Sequence, residues 1–166
     1  MTGACWLHVF PGHPPYGGLL VLHFRVEVKR LAEEGKLYPW PRPERCPRCR
    51  GRRVWVHGYV PRYFEGFPRP LWTVKYRCRD CLAVHTLRPS GFWPKFRYSI
   101  RTILQALRHK IVHGRWLETL SRQLQQYWYR GLRFQGCRVR NRAGPGLEVL
   151  GELLRLKLVP VTHAIQ

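Results

Sequence analysis

The sequence predicts an α+β fold in which a small three-stranded sheet is tied together by two cysteine pairs and followed by a helical region. Three observations carry this expectation. Cys46-Pro47-Arg48-Cys49 and Cys78-Arg79-Asp80-Cys81 bracket a stretch of alternating apolar and polar residues, which is the two-residue period of a strand with one buried face. Beyond Ser99 the period lengthens, and Ile100, Ile103, Leu104, Leu107 and Ile111 fall on one stripe of a helix. Between the two patterns, Arg88-Pro89-Ser90-Gly91 supplies the residues that end strands and turn the chain.

Residues 1–18 are rich in Pro, Gly and His without any period and read as a loose arm or irregular cap. Residues 19–24 form a short apolar run, either a buried strand or the start of a helix. Val28, Leu31 and Leu37, with charges between them, favour a short helix over 25–37 that Gly35 ends. The run Tyr38-Pro39-Trp40-Pro41-Arg42-Pro43 cannot continue a helix or enter a central strand, so it is expected to be a stiff linker. Val54, Val56 and Tyr59 predict one strand and residues 71–77, with Trp72, Val74 and Tyr76, a second; the loop 61–70 joins them, and 84–87 is the third. Ser99 is a suitable N-cap for the first long helix, which Gly114 stops. A second helix follows with Leu117, Leu120, Leu124 and Tyr127 or Trp128 inward, then a basic, turn-rich stretch over 136–146 and an amphipathic helix over 147–158. The chain divides accordingly into 1–43 (arm, helix and linker), 44–97 (cysteine module), 98–135 (helical pair) and 136–166 (basic turn and C-terminal helix).

Thirty Lys and Arg against nine Asp and Glu give a net charge of +21 in 166 residues. That balance is unsuited to an enzyme of neutral metabolites and typical of a polyanion binder. The excess is concentrated: residues 46–97 carry twelve basic and two acidic side chains, and 98–142 carry ten and one. The longest uncharged apolar run, around 19–24, is far too short to cross a bilayer, and the first residues lack the charged start and apolar stretch of a secretory signal. A cytoplasmic protein without a membrane partner is expected.

Six cysteines without a secretory signal point to reduced thiolate ligands rather than bridges. Two thiolates two residues apart on a tight turn reach one ion from the same side, and two such turns complete a tetrahedron. Cys46, Cys49, Cys78 and Cys81, with 28 residues between the pairs, therefore predict one structural zinc ion and a zinc ribbon. His57 and His85 are the alternatives to a cysteine ligand. The residue after the second cysteine, often glycine in such turns, is Arg50 in one and Leu82 in the other. Cys5 and Cys137 remain as buried or partly buried free thiols.

A duplex-reading helix-turn-helix needs a supporting helix, a short turn and a second helix with polar side chains outward. Residues 99–133 can supply this: Leu124 and Trp128 pack inward and leave Arg122, Gln123, Gln125, Gln126 and Arg130 outward. Nucleic-acid contacts are expected from Arg50, Arg52, Arg53, Arg62 and Lys75 on the ribbon, and from Arg101, Arg115, Arg122, Gln123, Gln126, Arg130 and Arg133 on the helices. The Cys-Pro-x-Cys pair, Tyr76-Arg77-Cys78-Arg79-Asp80-Cys81, Thr86-Leu87-Arg88-Pro89, Tyr98-Ser99, Ser121-Arg122-Gln123 and Tyr127-Trp128 resemble the zinc-ribbon and helix-turn-helix region of bacterial insertion-sequence transposases and related mobile-element proteins. The resemblance covers roughly 44–135 and implies recognition of duplex DNA such as a transposon end, by an accessory or truncated protein or a regulator.

Two-metal DNA cleavage needs clustered carboxylates. The one aspartate, Asp80, lies between the expected zinc ligands, and the eight glutamates are scattered. His109 and His113 lie one helical turn apart, but Lys110 stands where a zinc protease carries glutamate. Nothing marks a particular tyrosine for strand transfer. The residues thus point to a binding protein without a catalytic site, working as a homodimer on symmetric half-sites or beside a separate catalytic subunit. The alternative is an RNA-binding or ribosome-associated zinc ribbon that stacks bases on Trp55, Tyr59, Tyr63, Phe64, Trp72 and Tyr76. A third reading, a protein-interaction adaptor, explains the zinc but not the charge.

Overall fold

The computed structural model describes residues 6–8, 20–140 and 146–163. The chain forms two compact units, Met1–Ser99 and Ile100–Gln166, and belongs to the α+β class, with one mixed sheet and four α-helices among the described residues.

The sheet of the first unit is built from β1 (Trp6–His8), β2 (Leu20–Phe24), β3 (Val54–Arg62), β4 (Leu71–Cys78) and β5 (Val84–Pro89) in the order β1-β2-β5-β4-β3. The three strands expected between and after the cysteine pairs are present, with β4 antiparallel to both β3 and β5. The sheet does not end there. β2 lies parallel to β5, pairing Leu22 with Leu87, and β1 pairs antiparallel with β2. Part of the segment read as a loose arm is thus an edge strand; the rest of that segment lies outside the described residues. A bulge between Val56 and Gly58 shifts the register of β3 beyond Val56. A bulge of this kind twists an edge strand and limits further pairing along it.

Helix α1 (Val28–Glu34) anchors through Leu31, which is fully buried. Gly35 ends it with φ +60, and a single 3-10 turn, Gly35–Leu37, follows. Leu37, assigned to the apolar stripe, is on that turn and is exposed, because the helix that would have carried it inward has already stopped. Trp40, on the proline-rich stretch read as a linker, is buried in one cluster with Leu22, Leu31, Val54, Val74, Tyr76 and Leu87. The Arg42 guanidinium donates to the Val54 carbonyl. These residues are therefore strapped across the sheet and share its core.

In the second unit, α2 (Ile100–His113), α3 (Arg122–Arg140) and α4 (Leu147–Arg155) bury Ile103, Ala106, Leu107, Trp128, Leu132, Val149, Leu150 and Leu153. The connection from α2 to α3, residues 114–121, is longer than the three or four residues of a helix-turn-helix. Ser121 caps α3, its Oγ accepting the Leu124 N–H at 3.2 Å. Gln125, grouped above with the outward residues, is 1% exposed. Its Oε1 accepts the Leu117 N–H at 2.9 Å, and its Nε2 donates to the carbonyls of Leu117 at 2.8 Å and Leu120 at 3.0 Å. It therefore ties the interhelical connection to α3.

α3 also runs on through the stretch expected to be a basic turn, as far as Arg140. Its glycines serve close packing. A Cβ on Gly131 would stand 2.3 Å from the Val161 carbonyl oxygen, so only glycine lets the C-terminal chain cross the helix. Gln135, fully buried, donates to the Thr162 carbonyl at 2.8 Å and fixes that crossing.

Removing the Gln125 amide strands three backbone groups at once. Gln125→Ala is expected to cost about 2 kcal/mol or more, whereas Gln126→Ala, half exposed one position on, should change stability by less than about 0.5 kcal/mol. Urea denaturation of the two variants checks the contrast.

Candidate metal centre and nucleic-acid interface

The two cysteine turns have the same backbone. In the first, the Cys46 N–H donates to the Gly51 carbonyl at 2.7 Å; in the second, the Cys78 N–H donates to the Ala83 carbonyl at 3.0 Å, also five residues on. The residue after each second cysteine is left-handed, Arg50 with φ 64 and Leu82 with φ 59. These are the positions where glycine is often found, so the turns keep their geometry and carry the strain of a side chain instead. The first turn precedes β3 and the second joins β4 to β5, whose pairing in the sheet sets them against each other.

The result is a cluster in which the sulfur atoms of Cys46, Cys49, Cys78 and Cys81 all lie within 4.8 Å of one another. Cys46 and Cys81 are 3.6 Å apart at sulfur, as are Cys49 and Cys78. Four thiolates at this separation can hold one metal ion with no coordination position left open. Cys46 and Cys78 are fully buried while Cys49 is exposed. Burial pushes the Cys46 thiol up to about 12, and the backbone N–H groups of Cys49 and Arg48 pull against it. An ion there has to displace the proton and in return removes the cost of a buried charge.

His57 lies exposed on β3, outside the cluster. His85, fully buried, places Nε2 3.2 Å from the Cys46 sulfur without belonging to the four-sulfur group. Burial lowers its pKa and so favours the neutral ring. A metal-bound thiolate only accepts, so Nε2 would carry the hydrogen and donate to it. The signal in the sequence was the alternation of β5, which puts His85 opposite Tyr76 on the face that Cys78 shares. Asp80 pairs with Arg53 and fits against Gly51, where a Cβ would stand 2.1 Å from its Oδ2. Arg53 is thereby engaged within the cysteine module.

Of the other expected contacts in the first unit, Arg50, Arg52 and Arg62 are exposed and Lys75 is half buried. In the second unit, α3 gathers Arg122, Gln123, Gln126, Arg130 and Arg133 onto its outer face, Gln126 half buried and the others exposed. Arg101 and Arg115 are exposed on α2 and on the connection after it. The aromatics proposed for stacking divide: Phe64 and Tyr76 are core, Trp72 is half buried under the Lys36 ammonium at 4.2 Å, and Trp55, Tyr59 and Tyr63 are exposed. Cys137, expected to be at least partly buried, is exposed on α3, and Cys5 lies outside the described residues.

The chain matches no protein-family model, no curated protein and no solved structure. Among the described residues no helix is long and apolar enough to cross a membrane.

Two outcomes follow from the centre. Structural ions in such sites contribute about 10–16 kcal/mol, as much as the whole stability of a typical domain. Chelation, or Cys78→Ser, is therefore expected to abolish the cooperative thermal transition of the first unit, followed by near-ultraviolet circular dichroism. Leu82→Gly should raise stability by about 0.5–1 kcal/mol, since it relieves the left-handed strain and Leu82 is 57% exposed; a loss in chemical denaturation would contradict the strain.

Proposed function

We propose that this chain is a nucleic-acid-binding protein whose fold is completed by one zinc ion, and that it lays the outer face of α3 on duplex DNA. A closed set of four thiolates favours zinc over harder cations, and the two turns with β3, β4 and β5 then constitute a zinc ribbon within the larger sheet. The observation that carries the binding reading is the composition of α3. Its nineteen residues include five arginines and no acidic residue, and Arg122, Gln126, Arg130 and Arg133 recur at helical spacing on its exposed side. Arginine and glutamine have the donors for phosphates and for base edges in a major groove.

The resemblance to mobile-element proteins supports a role as an accessory to a separate catalytic subunit, or as a regulator. α3 then takes the part of the reading helix, with a longer connection before it. A second reading, single-stranded RNA, is favoured by the exposure of Trp55, Tyr59 and Tyr63 on and beside β3.

Selection from a random duplex library by the zinc-loaded protein, with single-stranded RNA as competitor, separates the two: an enriched motif that resists RNA supports duplex DNA. Arg130→Ala is expected to weaken duplex binding and to reduce the slope of log affinity against log salt by about 0.9, the value for one phosphate contact. Titrations over a range of salt measure it, and an unchanged slope would remove Arg130 from the interface.

A further inference from the structure

The outer face of α3 has two flanks. Arg122, Gln126 and Arg133 lie along one. Tyr127 and Phe134 lie along the other, roughly a quarter-turn around the helix and about 10 Å apart along it, with Arg130 between the flanks. Tyr127 is 48% and Phe134 39% exposed. A third ring joins them: His163 lies with its centroid 4.6 Å from that of Tyr127 and 6.4 Å from that of Phe134, at 38° and 22° to them. The His163 Nε2 is 3.1 Å from the Tyr127 carbonyl oxygen. A carbonyl only accepts, so Nε2–H donates and holds the imidazole in place. The C-terminal chain thus returns to α3 and completes a ledge of three rings.

Single exposed aromatics are ordinary, but a ring ledge beside arginines on a helix without one carboxylate selects its occupant. A second copy of this chain, also at +21, would bring like charge against it. Nucleobases offer flat faces for the rings, and their phosphates suit Arg130 and Arg133. Bases within a duplex expose only their edges in the grooves. We propose that the ledge of Tyr127, Phe134 and His163 stacks unpaired bases, so that the preferred ligand is a duplex continued by an unpaired segment. This rests on the duplex reading of α3 and extends it to the substrate class.

The test uses the zinc-loaded full chain and three DNAs in fluorescence anisotropy: a blunt duplex, the same duplex with a short single-stranded overhang, and one whose overhang is abasic. The overhang should tighten binding about tenfold, and the abasic overhang should not. The double variant Tyr127→Ala, Phe134→Ala should lose that gain while keeping the affinity for blunt duplex. Quenching of 2-aminopurine in the overhang, lost in the same variant, reports the stacking directly. Equal affinity for blunt and overhang DNA, with Arg122→Ala weakening both, would overturn the ledge and leave the duplex reading standing. Binding to none of the three overturns both. A DNA-free dimer dissolved by Tyr127→Ala would assign the ledge to a second copy of the chain and also overturn the proposal.

Discussion

Everything in the first unit depends on bringing four sulfur atoms within 4.8 Å of one another. Each turn is a local structure, but the meeting of the two requires β3 and β4 to pair from Val54–Cys78 at one end to Arg62–Leu71 at the other. It also requires β5 to leave the second turn antiparallel to β4. Cys46 and Cys78 belong to the apolar core along with Val54, Tyr76 and Leu87. The centre therefore takes the place of core mass that a small sheet with one short covering helix lacks. His85 behind Cys46 extends the same arrangement, since a neutral donor against the sulfur eases the burial of its charge.

The surface poses the opposite problem. At +21, self-repulsion works against the compact state, and exposed ion pairs such as Arg30–Glu34 and Arg53–Asp80 offset it only locally. Within the second unit two side chains act as internal polar ties: Gln125 holds the connection before α3 and Gln135 the chain after α4. Both amides are neutral, so neither depends on salt. A polyanion laid on the arginines would relieve the repulsion and stabilise the protein by mass action.

The cysteine cluster was legible because its spacing is local, and the strands between the pairs because their period survives in the sequence. What required long-range information was not legible. The run at β2 announces an apolar segment, yet nothing in residues 20–24 says that its neighbour is β5. Gln125 has the same chemistry as Gln123 and Gln126; it differs in standing three and seven residues before the buried Trp128 and Leu132 on α3, and its partners come from residues 117–120. Gly136 opened the stretch read as turn-rich, whereas it and Gly131 each make room for a close neighbour, the Val149 side chain and the Val161 backbone respectively. Trp128 is inward, as its spacing from Leu124 suggested, but the aromatic flank of α3 was hidden because its third ring, His163, comes from a segment 36 residues beyond Tyr127.

The parallel pairing of β2 with β5 has a consequence for the order of events during synthesis. Leu20 meets His85, and Phe24 meets Pro89, so each contact joins residues 65 positions apart. Contacts of such high sequence separation form slowly. On a ribosome, the N-terminal strands emerge long before their neighbour exists, while each cysteine turn can form as soon as it is made. Closure of the second turn then presents β5, and β1 and β2 are seated only after it.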